Sequence, residues 1–355
     1  MSADGKTGNA TKEQGVLYMG IDLGTSRTSV AASNGVRTTL SSHVGYPKDV
    51  VARKLLGKDV LYGDDAVDHR LSVKFYRPLA AGVLKASQRT SEDVEGNMKA
   101  AADLIREIIR LGKPKSDELV YGVIGVPAQA AIHHKDAILK AARESLDSVM
   151  LCSEPFAVAY GLDMLEDVLV IDIGAGTTDL CRMHGTMPED SDQLTNTFAG
   201  DYVDDQLAAL VKQRYPKAQF TTRMIQTIKE RHGNVSDAMP PVVVVDLPVE
   251  GKPTPFDVTE DLRTACRSIV GPIVEGLSQL IATFDPEFQH KLKNRVLLAG
   301  GGSQIRGLDT AVEDEMRRRL GQGRVMRIDE PVYGGANGAL KIAHDMPPEY
   351  WEKLM

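Results

Sequence analysis

One stretch of this chain occurs twice, and the repeat limits the fold more than any other feature. Residues 168–180 read Val-Leu-Val-Ile-Asp-Ile-Gly-Ala-Gly-Thr-Thr-Asp-Leu, and residues 18–30 read Tyr-Met-Gly-Ile-Asp-Leu-Gly-Thr-Ser-Arg-Thr-Ser-Val. They align without a gap at an offset of 150, which puts Asp22 on Asp172, Gly24 on Gly174 and Thr28 on Thr178. An internal repeat can decide an architecture before any local reading does. In each copy an apolar run with one acid breaks into small residues and then resumes, which predicts strand, tight turn, strand. Gly174 and Gly176 can take positive φ and let the backbone approach a ligand, so that consecutive N–H groups and the Thr177 and Thr178 hydroxyls point at one anion. Asp22 and Asp172 would face the cation that accompanies it. Ordinary hairpins need the turn glycines but not an aligned acid and threonine.

A length of 355 residues suggests about two domains, each able to bury its own core. The net charge of −7 argues against nucleic-acid binding by bulk charge, without excluding a local basic patch. Cys152, Cys181 and Cys266 form an odd set without metal-ligand spacing, as expected of reduced core thiols in a cytoplasmic protein. No uninterrupted apolar run is long enough to cross a membrane. Residues 1–15 are polar, with neither a signal-peptide core nor an amphipathic pattern, and read as a mobile tail.

Between and after the repeats lie further signals. Arg37 to Leu40 extends the first sheet, and residues 42–85 break into short elements between turn residues. Glu92 to Leu111 carries Met98, Ala102, Ile105, Ile108 and Ile109 on one helical stripe, with Ser91 as N-cap. Leu119 to Pro127 is a doubly buried strand, and Ala130 to Ser145 a helix. At Ser153-Glu-Pro155 a helix starts with Glu154 at its entrance, either for the helix dipole or for chemistry. Gly200-Asp201 puts N–H groups at another helix start, where they suit a phosphate; Asp204 reads as a cap or a cation-side acid. Residues 242–258 read as two strands around a turn at 248–253. Thr259 to Phe284 reads as one long helix. Finally, a strand runs into Gly300, Gly301, Gly302 and Ser303 and then a helix, a turn on which a flat ring or phosphate can lie against the backbone.

In this order the stretches resemble the actin, Hsp70 and sugar-kinase superfamily. Within it they are most similar to the filament-forming bacterial actins that organise magnetosomes, from about Val16 onward. The resemblance implies an α/β actin-like ATPase fold of two RNase H-like domains, each with a small inserted subdomain. Domain I would span 16–166 (subdomain about 42–85) and be completed by helix 334–355. Domain II would span 167–333 (subdomain about 205–260). It implies ATP or ADP with Mg²⁺ in the cleft, Asp22 and Asp172 on the metal, and Glu154 with Asp172 activating water. Phosphate contacts would come from Gly24, Thr25, Ser26, Gly174, Gly176, Thr177, Thr178, Gly200 and Asp201, with Arg27 an ion-pair partner instead. Gly300, Gly301, Gly302 and Ser303 would hold adenosine together with Lys229 and, where relatives carry glutamate, Gln226. Segment 330–343 would form the second connecting helix, with Ala336, Gly338 and Ala339 allowing a close crossing. The implied function is ATP hydrolysis coupled to head-to-tail self-assembly in the cytoplasm, with magnetosome proteins as further partners and no membrane insertion. The alternative is a nucleotide-gated regulator or chaperone-like ATPase of the same fold that does not polymerise.

Overall fold

The computed structural model describes residues 15–80, 91–236 and 242–354. The tail expected over 1–15 therefore lies, apart from Gly15, outside the described residues. The chain opens with β1 (Gly15–Leu23), β2 (Arg27–Ala32) and β3 (Arg37–Ser41) as an antiparallel meander. A small lobe follows: β4 (Val44–Pro47), α1 (Val50–Leu56), β5 (Leu61–Tyr62), α2 (Gly63–Asp68) and β6 (Val73–Tyr76), with a three-stranded sheet in the order β5-β4-β6. Then come α3 (Ser91–Leu111), β7 (Glu118–Val126), α4 (Ile132–Ala142), β8 (Ser148–Ser153) and α5 (Glu154–Gly161). β7 and β8 join β1 in parallel, which gives a sheet of order β3-β2-β1-β7-β8.

The plan then repeats. β9 (Val168–Ile173), β10 (Thr178–Met183) and β11 (Gln193–Asn196) form a second meander, followed by α6 (Gly200–Arg214), α7 (Thr222–His232) and a ribbon of β12 (Val244–Val249) and β13 (Lys252–Asp257). α8 (Thr259–Arg267), α9 (Val270–Ala282), α10 (Gln289–Lys293), β14 (Val296–Ala299), α11 (Leu308–Leu320) and β15 (Val325–Arg327) complete it. The second sheet runs β11-β10-β9-β14-β15, the same order and directions as the first. β9 and β10 are buried at every position, as strands covered on both faces must be. Finally α12 (Gly334–Asp345) and α13 (Pro348–Leu354) return to the first half. Trp351 is fully buried there, stacked on Tyr121 at 5.1 Å.

Three local expectations change. The helix expected over Thr259–Phe284 is two, broken at Ser268 and Ile269, because the apolar pattern runs on through a break that places Pro272 in the first turn of α9. Met98 is half exposed rather than on the core stripe of α3. The turn expected over 248–253 is only Glu250 and Gly251, both at positive φ, with Pro248 and Pro253 paired within the ribbon.

The two halves meet where α5 crosses α12. A Cβ on Gly338 would overlap the Ala157 carbonyl, and one on Gly161 would lie 2.9 Å from Gly338 Cα. α12 also lies on β1 at Gly20, where a Cβ would strike the α12 backbone. Backbone-to-backbone contact of this kind admits only glycine.

Candidate active site

The repeated hairpins bring their acids to one place. Asp22 lies next to last in β1, and Asp172 lies on β9. Glu154 is the first residue of α5, with Pro155 in the first turn; Ser153 sits at the N-cap but makes no side-chain cap bond. Gly125 of β7 joins them, since a Cβ there would lie 3.5 Å from Glu154 Cγ and 4.0 Å from Asp22 Cα. A fourth acid, Asp179 on β10, stands opposite Asp172 in the hairpin register. Its Oδ1 accepts from Ala128 N (2.8 Å) and Thr195 Oγ1 (2.5 Å), while its Oδ2 is buried without a hydrogen-bond partner.

The four carboxyls repel one another in a dry setting. Burial, then Asp179, pushes Asp22 up to about 7. Burial, followed by Asp22, Asp179 and Asp172, holds Glu154 well above the usual carboxylate range. Burial, then Asp22 and Asp179, does the same to Asp172. Burial raises Asp179 as well, against hydrogen bonds from Thr195, Ala128 and Thr177. No described cation forms an ion pair with any of the four. Partial compensation comes from helix starts, for Glu154 stands at the N-terminus of α5 and Asp22 lies against that of α12, where a Cβ on Gly335 would be 2.8 Å from its Oδ2.

This donor set fits a magnesium ion with phosphate. Mg²⁺ is typically held by one or two carboxylates, with phosphate and water supplying the remaining ligands. No group of three or more His, Cys, Asp or Glu among the described residues is arranged to bind a metal alone.

Several expected phosphate contacts are otherwise engaged. Thr178 is fully buried and its hydroxyl donates to the Phe198 carbonyl (2.8 Å), just as its counterpart Thr28 bonds to Ser42 (2.9 Å). Thr177 is hydrogen-bonded to Asp179. The N–H groups of Gly200 and Asp201 donate to the carbonyls of Gly174 (3.1 Å) and Ala175 (2.7 Å), so α6 braces the second turn rather than offering these two donors. Neither Gly174 nor Gly176 adopts positive φ. What requires glycine is proximity, for a Cβ on Gly24 would collide with Arg27 O, and one on Gly174 would lie 3.2 Å from Thr177 O.

On the adenosine side, a Cβ on Gly300 would strike Asp172 and one on Gly302 would strike Ile173, so these two let the loop pack on β9. Only Gly301 faces open space, and the Ser303 hydroxyl caps Gly300 O at 2.7 Å. Lys229 pairs with buried Asp204 (2.9 Å) and donates to Gly200 O (2.8 Å), making Asp204 a lysine partner rather than a cap or cation ligand. Gln226 reaches across to Ser26 Oγ (3.2 Å). Arg77, which no motif in the sequence singles out, also spans the cleft, with Nη2 on Asp201 (2.9 Å) and Nε on Thr25 O (3.3 Å). Arg27 is exposed and forms no ion pair among the described residues, contrary to expectation.

The family model for MreB/Mbl proteins matches residues 17–347. This chain belongs to the MreB/Mbl family of actin-like proteins. It is 39% identical over 338 residues to the actin-like protein MamK of Magnetospirillum gryphiswaldense, covering 95% of this chain and 92% of that one. Among solved structures it superposes on a subunit of the MamK double helical filament with a TM-score of 0.87 at 38% identity, over 93% of this chain and 99% of the other. On a non-polymerising MamK mutant bound to AMPPNP the TM-score is 0.70 at 37% identity, over 94% and 100%. No helix among the described residues is long and apolar enough to cross a membrane.

Proposed function

We propose that this chain binds Mg-ATP between its two halves, hydrolyses it slowly, and assembles head to tail into cytoplasmic filaments that position magnetosomes. The observation that carries the reading is the meeting of Asp22, Glu154, Asp172 and Asp179 at the two phosphate-type turns, four carboxyls with no ion pair among the described residues. Asp22 and Asp172 would hold Mg²⁺, which when bound supplies neutralising charge to the phosphate oxygens. Glu154, elevated by burial and standing at the start of α5, is a stronger base than a surface carboxylate once ionised and accepts the proton of the attacking water. Asp179, anchored by Ala128 N, keeps the Thr177 end of the second turn in place. Gly301 leaves room for the nucleoside. The likeness to MamK supports filament formation and the link to magnetosomes. At nearly equal identity the chain fits the filament subunit better than the non-polymerising mutant, which supports a subunit shape compatible with assembly.

The test is phosphate release and sedimentation with Mg-ATP. Glu154→Ala and Asp172→Ala are expected to lower release by roughly 10²-fold or more, the scale of losing a positioned acid–base group, while polymer still pellets. Near wild-type release from either variant sinks the assignment. A wild-type protein that hydrolyses ATP but neither scatters light nor pellets favours the non-polymerising regulator.

A further inference from the structure

A groove lined by α7, the helix that also carries Gln226 and Lys229, has the make-up of a peptide-binding site. It has a volume of about 550 Å³ and lies between one face of α7 and the strand β12, with Arg70 of the first half's small lobe at its margin. From α7 come Met224, Thr227, Ile228 and Arg231, spaced as one helical face; from β12 come the consecutive residues Val244 to Leu247.

The β12 side is an open sheet edge. Among the described residues, β12 pairs with β13 alone. The two-residue turn at Glu250 and Gly251 makes Val249 and Lys252 the first hydrogen-bonded pair, so Leu247 and Val245 also bond toward β13. Val244, Asp246 and Pro248 then direct their backbone groups outward. Two facts agree with this register. Pro253 and Pro255, which have no N–H, lie opposite Pro248 and Asp246. The outward carbonyl of Pro248 already accepts from Gln219 N at 2.8 Å.

The rim is cationic. Arg223 and Arg231 form no ion pair among the described residues, and the guanidinium of Arg70 bonds only to the backbone carbonyl of Val67. Three arginines against one acid, Asp246, in a chain of net charge −7 is a local reversal of sign. Met224, Ile228 and Val245 supply apolar floor.

We propose that this groove binds an extended acidic peptide from another protein, which adds as a strand to the free edge of β12 and sets its carboxylates on Arg223, Arg231 and Arg70. Strand addition supplies main-chain hydrogen bonds, and flanking side chains supply selectivity. Arginine's planar fork suits a carboxylate better than a diffuse charge would.

The experiment uses the full chain and a fluorescein-labelled Asp-Val-Glu-Val-Asp-Val-Glu peptide, read by anisotropy at about 0.15 M salt, where nonspecific surface attraction is screened. Saturable binding is expected, weakened roughly tenfold or more by Arg223→Glu with Arg231→Glu, since charge-assisted bonds are the strong ones. A peptide N-methylated at alternate residues, which tests strand pairing without altering the protein, is expected to lose binding to the same degree. Asp246→Pro, tolerable on a strand edge, is expected to do likewise. The proposal is overturned if the N-methylated peptide binds equally well, if a Lys-for-acid peptide competes equally, or if no binding occurs. It is also overturned if the charge-reversed protein no longer pellets with Mg-ATP, because the groove would then be a contact between copies of this chain.

Discussion

The two halves share a sheet order and a hairpin, yet their equivalent positions do different chemistry. In the first hairpin the residue opposite Asp22 is Ser29, whose hydroxyl donates to Val332 O at 3.2 Å. In the second, the residue opposite Asp172 is Asp179, with a buried oxygen that has no hydrogen-bond partner. Both hairpins bury a threonine whose hydroxyl ties the turn to its own half, Thr28 to Ser42 and Thr178 to Phe198. The duplicated frame is thus structural. The two hairpins differ in charge: the second carries two carboxyls, Asp172 and Asp179, and the first carries Asp22 alone, with Glu154 of α5 bringing the first half's share to two.

Changing the two unlike positions tests this asymmetry most severely. Asp179→Asn is expected to slow phosphate release by roughly 10²-fold and Ser29→Ala by less than about threefold, on the scale that separates an electrostatic group at a reacting centre from a neutral hydrogen bond. Equal effects would mean the halves contribute alike. Next is the crossing that both halves share. Gly338→Ala should cost about 3 kcal/mol or more, as overpacking against rigid backbone does, whereas Gly301→Ala, facing open space, should stay within about 0.5 kcal/mol in thermal unfolding.

Smaller in scale is a pH effect with a definite sign. Asp22 is raised by burial to about 7 from an ordinary 3.8, so the folded protein binds more protons than the unfolded one between those values. Stability without metal is therefore highest at low pH within this window and falls as pH rises through 7. For Asp22 alone the loss from pH 6 to 8 is about 1.4 kcal/mol. Mg-ATP should remove most of that slope and release protons on binding, measurable in buffers of different ionisation enthalpy. A slope of the opposite sign would show that the acids are already neutralised. Smallest is Arg77→Ala, which breaks a pair about one-third exposed on each side. About 0.5 kcal/mol is expected, with a wider cleft by small-angle scattering as the sharper readout.

The frame was legible in the sequence because the aligned acids and glycines impose the same strand–turn–strand twice. The site was legible only in part. Asp179 lies inside the repeated stretch, but its counterpart is Ser29, so a search for matched positions passes over it. An acid directly ahead of Leu180 and Cys181 in a fully buried strand was the signal that could have found it. Arg77 carried no local pattern at all, since its partners are 52 and 124 residues away. Apart from Gly300, which also needs its positive φ, the glycines of the site matter for a reason other than turn conformation. Gly24, Gly174, Gly300 and Gly302 serve close packing, a property of neighbours that only the folded chain supplies. The prolines at 248 and 253 looked like a loop because a ribbon tolerates them only at its non-bonded pairs.

The return of the last two helices to the first half has a consequence for how the molecule is made. Trp351, whose indole donates to Ala343 O and whose carbonyl accepts from Ser148, seals a face of strands synthesised some two hundred residues earlier. The half that leaves the ribosome first must therefore wait, with that face bare, until Trp351 has been made, while the contiguous second half can settle in the meantime. Chaperone demand during synthesis should fall on the first sheet, and nicking α13 should loosen it.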